Sequence, residues 1–256
     1  MNLEAHLRSA RDDGRKLLVP YVTGGLGREW QLVVRAVVDA GADAVEVGIP
    51  FSDPIMDGRT IQEASQRALD LGATPVGVID TMATIDVDAP LVVMTYYNLV
   101  ARLGHERCAQ HLRDAGVDGA IVPDLPYDEL DGWGEAAGKA GVETVLLAAP
   151  NTPDDRLRDI CDRSHGFVYC VSLMGVTGER ERLAEKAEVM GRRCKAATDK
   201  PVLLGVGIST PEQAAQAAAA ADGVIVGSAL VRRLLAGGGP EEAGSFVRSL
   251  RAALDA

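Results

Sequence analysis

An α/β chain whose eight parallel strands close into a (β/α)8 barrel is what the sequence predicts, and three observations carry that reading. Eight short, β-branched and near-continuously apolar runs occur along the 256 residues. Segments rich in Ala, Leu and charged residues separate them, with no break in composition. The strings "DAGAD" (39–43) and "DAGVD" (114–118) recur at the same place in the unit, where a helix ends and a strand begins. Runs that are apolar throughout, rather than alternating, fit parallel strands covered on both faces. Such barrels commonly take about 250 residues as one domain. The expectation is therefore a single TIM-barrel domain over residues 1–256 with an extra N-terminal helix.

Element by element, residues 2–12 predict a helix that caps the bottom of the barrel. Strands are predicted at "LLVPYV" (17–22), "AVEVGI" (44–49), "LVVMTYY" (91–97) and "GAIVPD" (119–124). Four more follow at "ETVLLAA" (143–149), "FVYCVS" (167–172), "PVLLGVG" (201–207) and "GVIVGS" (223–228). Segments such as "EWQLVVRAVVDAGA" and "TPEQAAQAAAAA" read as the helices between them. Several close on Ala-Gly, where a left-handed residue ends a helix. An open Rossmann-type sheet would need a G-x-G-x-x-G turn after the first strand and an acidic residue ending the second. "YVTGGLGRE" offers glycines without that arrangement.

The formal net charge of −11 counts against nucleic acid as a partner, because phosphate backbones select basic surfaces. The four cysteines, Cys108, Cys161, Cys170 and Cys194, form no C-x-x-C pair and point to a reducing compartment rather than a disulfide frame. The four histidines lie away from every glycine-rich strand end, so a metal or catalytic role for them is not expected. "MNLEAHLRSARDDGRK" has no apolar signal core, and no apolar run approaches the roughly 18 residues that span a bilayer. A cytoplasmic protein without membrane contact is the expectation.

In such a barrel the chemistry belongs at the C-terminal ends of the strands, with phosphate bound after strands 7 and 8. Strand 7 runs into "GVGIST" (205–210), strand 8 into "VGSAL" (226–230), and strand 6 into "LMGVTGERER" (173–182). Small exits let backbone N–H groups approach an anion, and a helix opening at Ser228 adds its positive end. Glu46 stands inside strand 2. Turned outward, it would bury a charge in an apolar layer at a cost of several kcal/mol. Turned inward, with Val45, Val47 and Ile49 outside, it lies beneath a substrate, where desolvation raises its pKa as a general acid/base requires. Asp57 is open between catalysis and turn formation, because Asp-Pro and Asp-Gly turns surround it. Asp53, before Pro54, fits a turn.

"AGADAVEVGIPFSDPIMDGRTIQ" resembles the signature of the tryptophan synthase alpha subunit family. The likeness continues in order through "VVMTYYN", "VPDLP", "APNTPDDR", "YCVSLMGVTG", "GVGISTPEQ" and "VIVGSALV". It implies a lyase that cleaves indole-3-glycerol phosphate to indole and glyceraldehyde 3-phosphate by a retro-aldol reaction. Glu46 then matches the family's acid/base, and Asp57 the carboxylate that accepts from the indole N–H. Thr177 matches the threonine of the loop that closes over the site. Gly178, Gly207, Gly227 and Ser228 match the phosphate-binding backbone. Tyr96 and Tyr169 match aromatics near the substrate, and Tyr21 the position beside the indole. The resemblance implies neither metal nor organic cofactor, because the family's pyridoxal phosphate belongs to the beta subunit, the expected partner in an alpha2beta2 complex.

Four places depart from the family pattern. Arg59 stands where Pro is common, "PIMDG" is bulkier than "PLADG", "TGGLG" replaces Gly-Asp-Pro after strand 1, and Met174 precedes the loop glycine. All lie around the mouth and leave the acids in place. They keep open a stand-alone lyase releasing free indole, or a non-catalytic partner activating a beta subunit, although a pseudoenzyme has no need of a costly buried acid.

Overall fold

The computed structural model describes residues 2–171 and 180–256. Eight parallel strands close into a barrel in sequence order: β1 Leu17–Thr23, β2 Val45–Gly48, β3 Leu91–Met94, β4 Val117–Ile121, β5 Glu143–Ala148, β6 Val168–Val171, β7 Val202–Gly205 and β8 Gly223–Val226. β1 pairs with β8 from Leu17↔Gly223 to Pro20↔Val226, which completes the ring. Among the described residues, no helix is long and apolar enough to cross a membrane.

Alternation along each strand divides the core in two. Val45, Val47, Val93, Val168 and Leu204 point outward and join the layer between sheet and helices. Leu17, Val19, Val92, Ile121, Val145, Phe167, Leu203 and Ile225 fill the barrel interior. This is why the runs are apolar without alternation. Each fully buried side chain of this size contributes about 1.5–3 kcal/mol.

The predicted N-terminal helix is Leu3–Asp12, capped by the Asn2 side chain, which accepts from the Ala5 N–H at 2.7 Å. Its Leu3 and Leu7 are fully buried with the interior residues and close the bottom of the barrel. Glu143, at the start of β5, holds this helix by accepting from Asn2 Nδ2 at 2.7 Å and from the Glu4 N–H at 2.8 Å.

The aspartates that close the two recurring strings, and Asp222 ahead of β8, have one task at the bottom rim. Asp43 accepts from the Leu18 N–H at 2.7 Å, Asp118 from Leu91 at 3.3 Å and Asp222 from Val202 at 2.9 Å. Each satisfies a backbone N–H near the beginning of a neighbouring strand, a donor otherwise costly to bury. Gly41 and Gly116, in the turns before two of them, have φ of 101° and 76°, a conformation that favours glycine.

Predicted strand limits differ from the observed ones mainly at their C-terminal ends. The run 91–97 stops at Met94, because Tyr97 opens the helix Tyr97–Leu103 and its N–H donates to Asp124 Oδ1 at 2.8 Å. The run 119–124 is shifted to Val117–Ile121, since Pro123 has no N–H for a ladder. β7 ends at Gly205, ahead of Gly207 in the left-handed region (φ 74°), and β8 gives way to a helix at Ser228.

Candidate active site

At the upper end of the barrel the interior changes from apolar to polar. Tyr21 of β1 is in register with Glu46 of β2, and Glu46 with Val92 of β3. Glu46 is 1 % exposed, and among the described residues its Oε2 has no hydrogen-bond partner. Its neighbours Val45 and Val47 lie in the outer layer, so the carboxylate faces inward. Burial, with the negative Asp57 adding to it, pushes the Glu46 carboxyl up to about 8. Near neutral pH it therefore carries a proton that it can give and take back.

Asp57 sits in the loop between β2 and the helix Arg59–Asp70. Tyr96, which precedes the helix after β3, donates its hydroxyl to Asp57 Oδ2 at 3.0 Å, and the Tyr96 hydroxyl oxygen accepts from the Met56 N–H at 3.0 Å. Gln62 Nε2 donates to the backbone carbonyls of Asp57 at 2.9 Å and Pro54 at 3.3 Å. Burial raises the Asp57 carboxyl, and the tyrosine hydrogen bond opposes that rise. Two acids in one field thus have different supports: among the described residues Glu46 Oε2 lacks a donor, whereas Asp57 has one.

Tyr21 and Tyr169 are placed by glycines that sequence reading did not single out. A Cβ on Gly48 would stand 1.8 Å from the Tyr21 hydroxyl oxygen, and one on Gly205 would stand 2.3 Å from the Tyr169 ring. Both glycines end interior-facing strand positions, and a glycine inside a strand pattern was the available signal for such an approach. Both phenols are held above their ordinary pKa, by burial first and then by the site carboxylates. They stay neutral and can donate. Gly48→Ala or Gly205→Ala is expected to displace its tyrosine and cost about 1–3 kcal/mol of stability, measurable as a lowered Tm with a larger KM.

The phosphate candidates stand on adjacent strands. Gly207 is exposed after β7. Gly227 caps the helix Ser228–Leu235 directly after β8, and a Cβ on it would stand 3.5 Å from Tyr21 Cβ. The N-terminal end of that helix, where unpaired N–H groups can meet an anion, therefore lies beside Tyr21. Thr177 and Gly178, together with Met174, lie outside the described residues. Phe51, whose ring stacks on Tyr96 with centroids 5.0 Å apart, went unnoticed in the sequence. Among the described residues no group of His, Cys, Asp or Glu could hold a metal ion.

The model of the family described as tryptophan synthase alpha chain matches residues 7–250. The tryptophan synthase alpha chain of Streptomyces coelicolor is 44 % identical over 262 aligned residues, covering 97 % of this chain and 93 % of that protein. The Gloeobacter violaceus alpha chain is 45 % identical over 230 residues, covering 88 % and 83 %. The crystal structure of the Legionella pneumophila alpha subunit superposes with a TM-score of 0.88 at 33 % identity, covering 100 % of this chain and 99 % of that one. An M. tuberculosis tryptophan synthase structure gives 0.88 at 34 % identity, covering 99 % and 99 %. With its fold and nearly its whole length matched, the chain belongs to the tryptophan synthase alpha chain family, whose lyase reaction cleaves indole-3-glycerol phosphate.

Proposed function

We propose that Glu46 is the general acid/base of this reaction and Asp57 the carboxylate that stabilises its cationic intermediate. The observation that carries the reading is a buried, inward-facing glutamate with an oxygen lacking a hydrogen-bond partner among the described residues, in the electrostatic field of a second acid. Indole becomes a leaving group once C3 is protonated. Glu46 gives that proton, and positive charge rises at N1, whose N–H donates to Asp57. The resulting Glu46 carboxylate then removes the proton from the hydroxyl on the adjoining side-chain carbon. The C–C bond breaks into the ring, giving indole and glyceraldehyde 3-phosphate with Glu46 reprotonated. An acid in an apolar setting beside one in a polar setting is the arrangement that divides such roles.

Under the same reading, Tyr21 and Tyr169 line the indole slot, and Gly207, Gly227 and Ser228 hold the phosphate. Thr177 and Gly178 belong to it on the sequence resemblance. Residues 1–256 act as one domain. A reducing, cytoplasmic setting fits four cysteines that are buried as free thiols.

The family pairs with a beta subunit. For this chain we place the docking side at the loop before Asp57, where Ile55 is 76 % and Met56 49 % exposed. Docking there and chemistry would share one short segment, because Met56 is tied to Tyr96 and Asp57. The test is indole release from indole-3-glycerol phosphate by the purified chain, alone and with a cognate beta chain. Slow release that rises on the order of 10-fold or more with the partner is expected. Fast release unchanged by the partner would identify a stand-alone lyase, and no release under either condition would refute the reading.

A further inference from the structure

Tyr96 occupies an unusual position for a substrate-lining aromatic. It is only 4 % exposed. One face of its ring is stacked on Phe51 with an interplanar angle of 29°. Its hydroxyl is committed twice, accepting from the Met56 N–H and donating to Asp57 Oδ2, each at 3.0 Å. Its backbone lies at the junction between β3 and the helix Tyr97–Leu103, which Asp124 caps through the Tyr97 N–H at 2.8 Å. The hydroxyl is thus carried by regular structure, whereas the carboxylate that it binds is carried by a loop.

We infer that Tyr96 is the positioning residue of Asp57: its hydroxyl fixes the loop backbone at Met56 and one carboxylate oxygen together, so that Oδ1 is aimed at the donor N–H of the substrate. This rests on the reading of Asp57 given above and deepens it. Tyr96 itself touches no reacting atom. Its phenol acts on Asp57 in two ways. The bond removes rotational freedom from the carboxylate, which would otherwise reach the correct orientation only part of the time. It also favours the ionised carboxylate against the burial that opposes it, keeping Asp57 an acceptor while Glu46 beside it keeps a proton. Phe51 adds a flat support that holds the ring over the loop.

Tyr96→Phe keeps the ring and its stacking while removing the hydroxyl. The test measures indole release from indole-3-glycerol phosphate by the full chain with its beta partner, for wild type, Tyr96→Phe, Asp57→Asn and the double variant. For Tyr96→Phe, kcat is expected to fall about 10-fold with little change in KM, the loss of one hydrogen bond to a charged group. The acid limb of its pH profile is expected to move upward by about one pH unit, because Asp57 protonates more readily without the phenol. In the double variant the tyrosine change is expected to add less than about 2-fold to the loss caused by Asp57→Asn alone, since the two residues act as one unit.

An unshifted acid limb, or a double variant in which the two losses multiply, would overturn the positioning role. Where Asp57→Asn leaves too little activity for that comparison, the pH profile of Tyr96→Phe decides. Wild-type turnover in Asp57→Asn would instead overturn the reading of Asp57, a separate failure that the same set of variants reveals.

Discussion

Glu46→Gln is expected to lower kcat by about 10²–10⁴-fold, the range lost when a general acid/base is removed, and at the same time to stabilise the fold at alkaline pH. Both effects come from one property of the site. The carboxyl is held protonated up to about pH 8 in the folded chain, against an ordinary value of 4.5. The unfolded chain releases this proton near 4.5. Wild type therefore loses stability as the pH rises through that interval, and the loss is complete above the folded value. The amide keeps nearly the same shape and carries no charge, so the variant escapes that loss. Burying an amide still has a cost, but a smaller one than burying an unpaired carboxylate.

The check is a pair of thermal unfolding curves. Near pH 5 the two proteins are expected to melt at similar temperatures. At pH 9 the variant is expected to melt several degrees higher, since each kcal/mol moves Tm by about 2–4 °C in a chain of this size. A variant with near-wild-type kcat would remove Glu46 from the mechanism. A variant less stable at pH 9 would contradict the burial of an ionisable acid without a compensating donor.

The second large effect is expected at Asp57→Asn, with kcat reduced by about 10²–10³-fold, the loss found when one group opposite a developing charge is removed. The amide retains an oxygen that accepts from the Tyr96 hydroxyl, so the loop is largely preserved. What disappears is the negative charge that the proposed mechanism sets opposite the cationic indole. That charge also raises Glu46. The residual activity should consequently show an alkaline limb at lower pH than wild type, because Glu46 releases its proton earlier. The measurement is a kcat profile between about pH 6 and 9.5. An unmoved alkaline limb would mean that the two carboxylates do not interact, and would place the limb on another group.

How much of this site was legible can be judged residue by residue. The direction of Glu46 was readable because a strand has a period of two: with Val45 and Val47 outside, an acid between them can only face the interior. The chemistry proposed for it follows from the cost of burying a charge without a partner. The recurring "DAGxD" strings showed that a unit repeats, although the hydrogen bonds made by their last aspartates, Asp43 and Asp118, join strands that are distant in sequence. Strand ends were less legible. "LVVMTYY" is equally suited to a longer strand by propensity, and only Asp124, from the following β-strand exit, draws Tyr97 into a helix instead.

By itself, then, the sequence determined the barrel, its cap, the inward acid and the family, since apolar period, turn residues and motif order are local properties of the chain. Only the tertiary structure shows what surrounds Asp57. In sequence it stands among turn-forming residues and reads either way. In the fold a phenol 39 residues away holds its side chain, while its charge raises Glu46. The same is true of Gly48 and Gly205, whose missing side chains matter because tyrosines occupy the space. Contacts of this kind are set by strand register and barrel closure, and a linear pattern carries no record of which side chains closure will bring together.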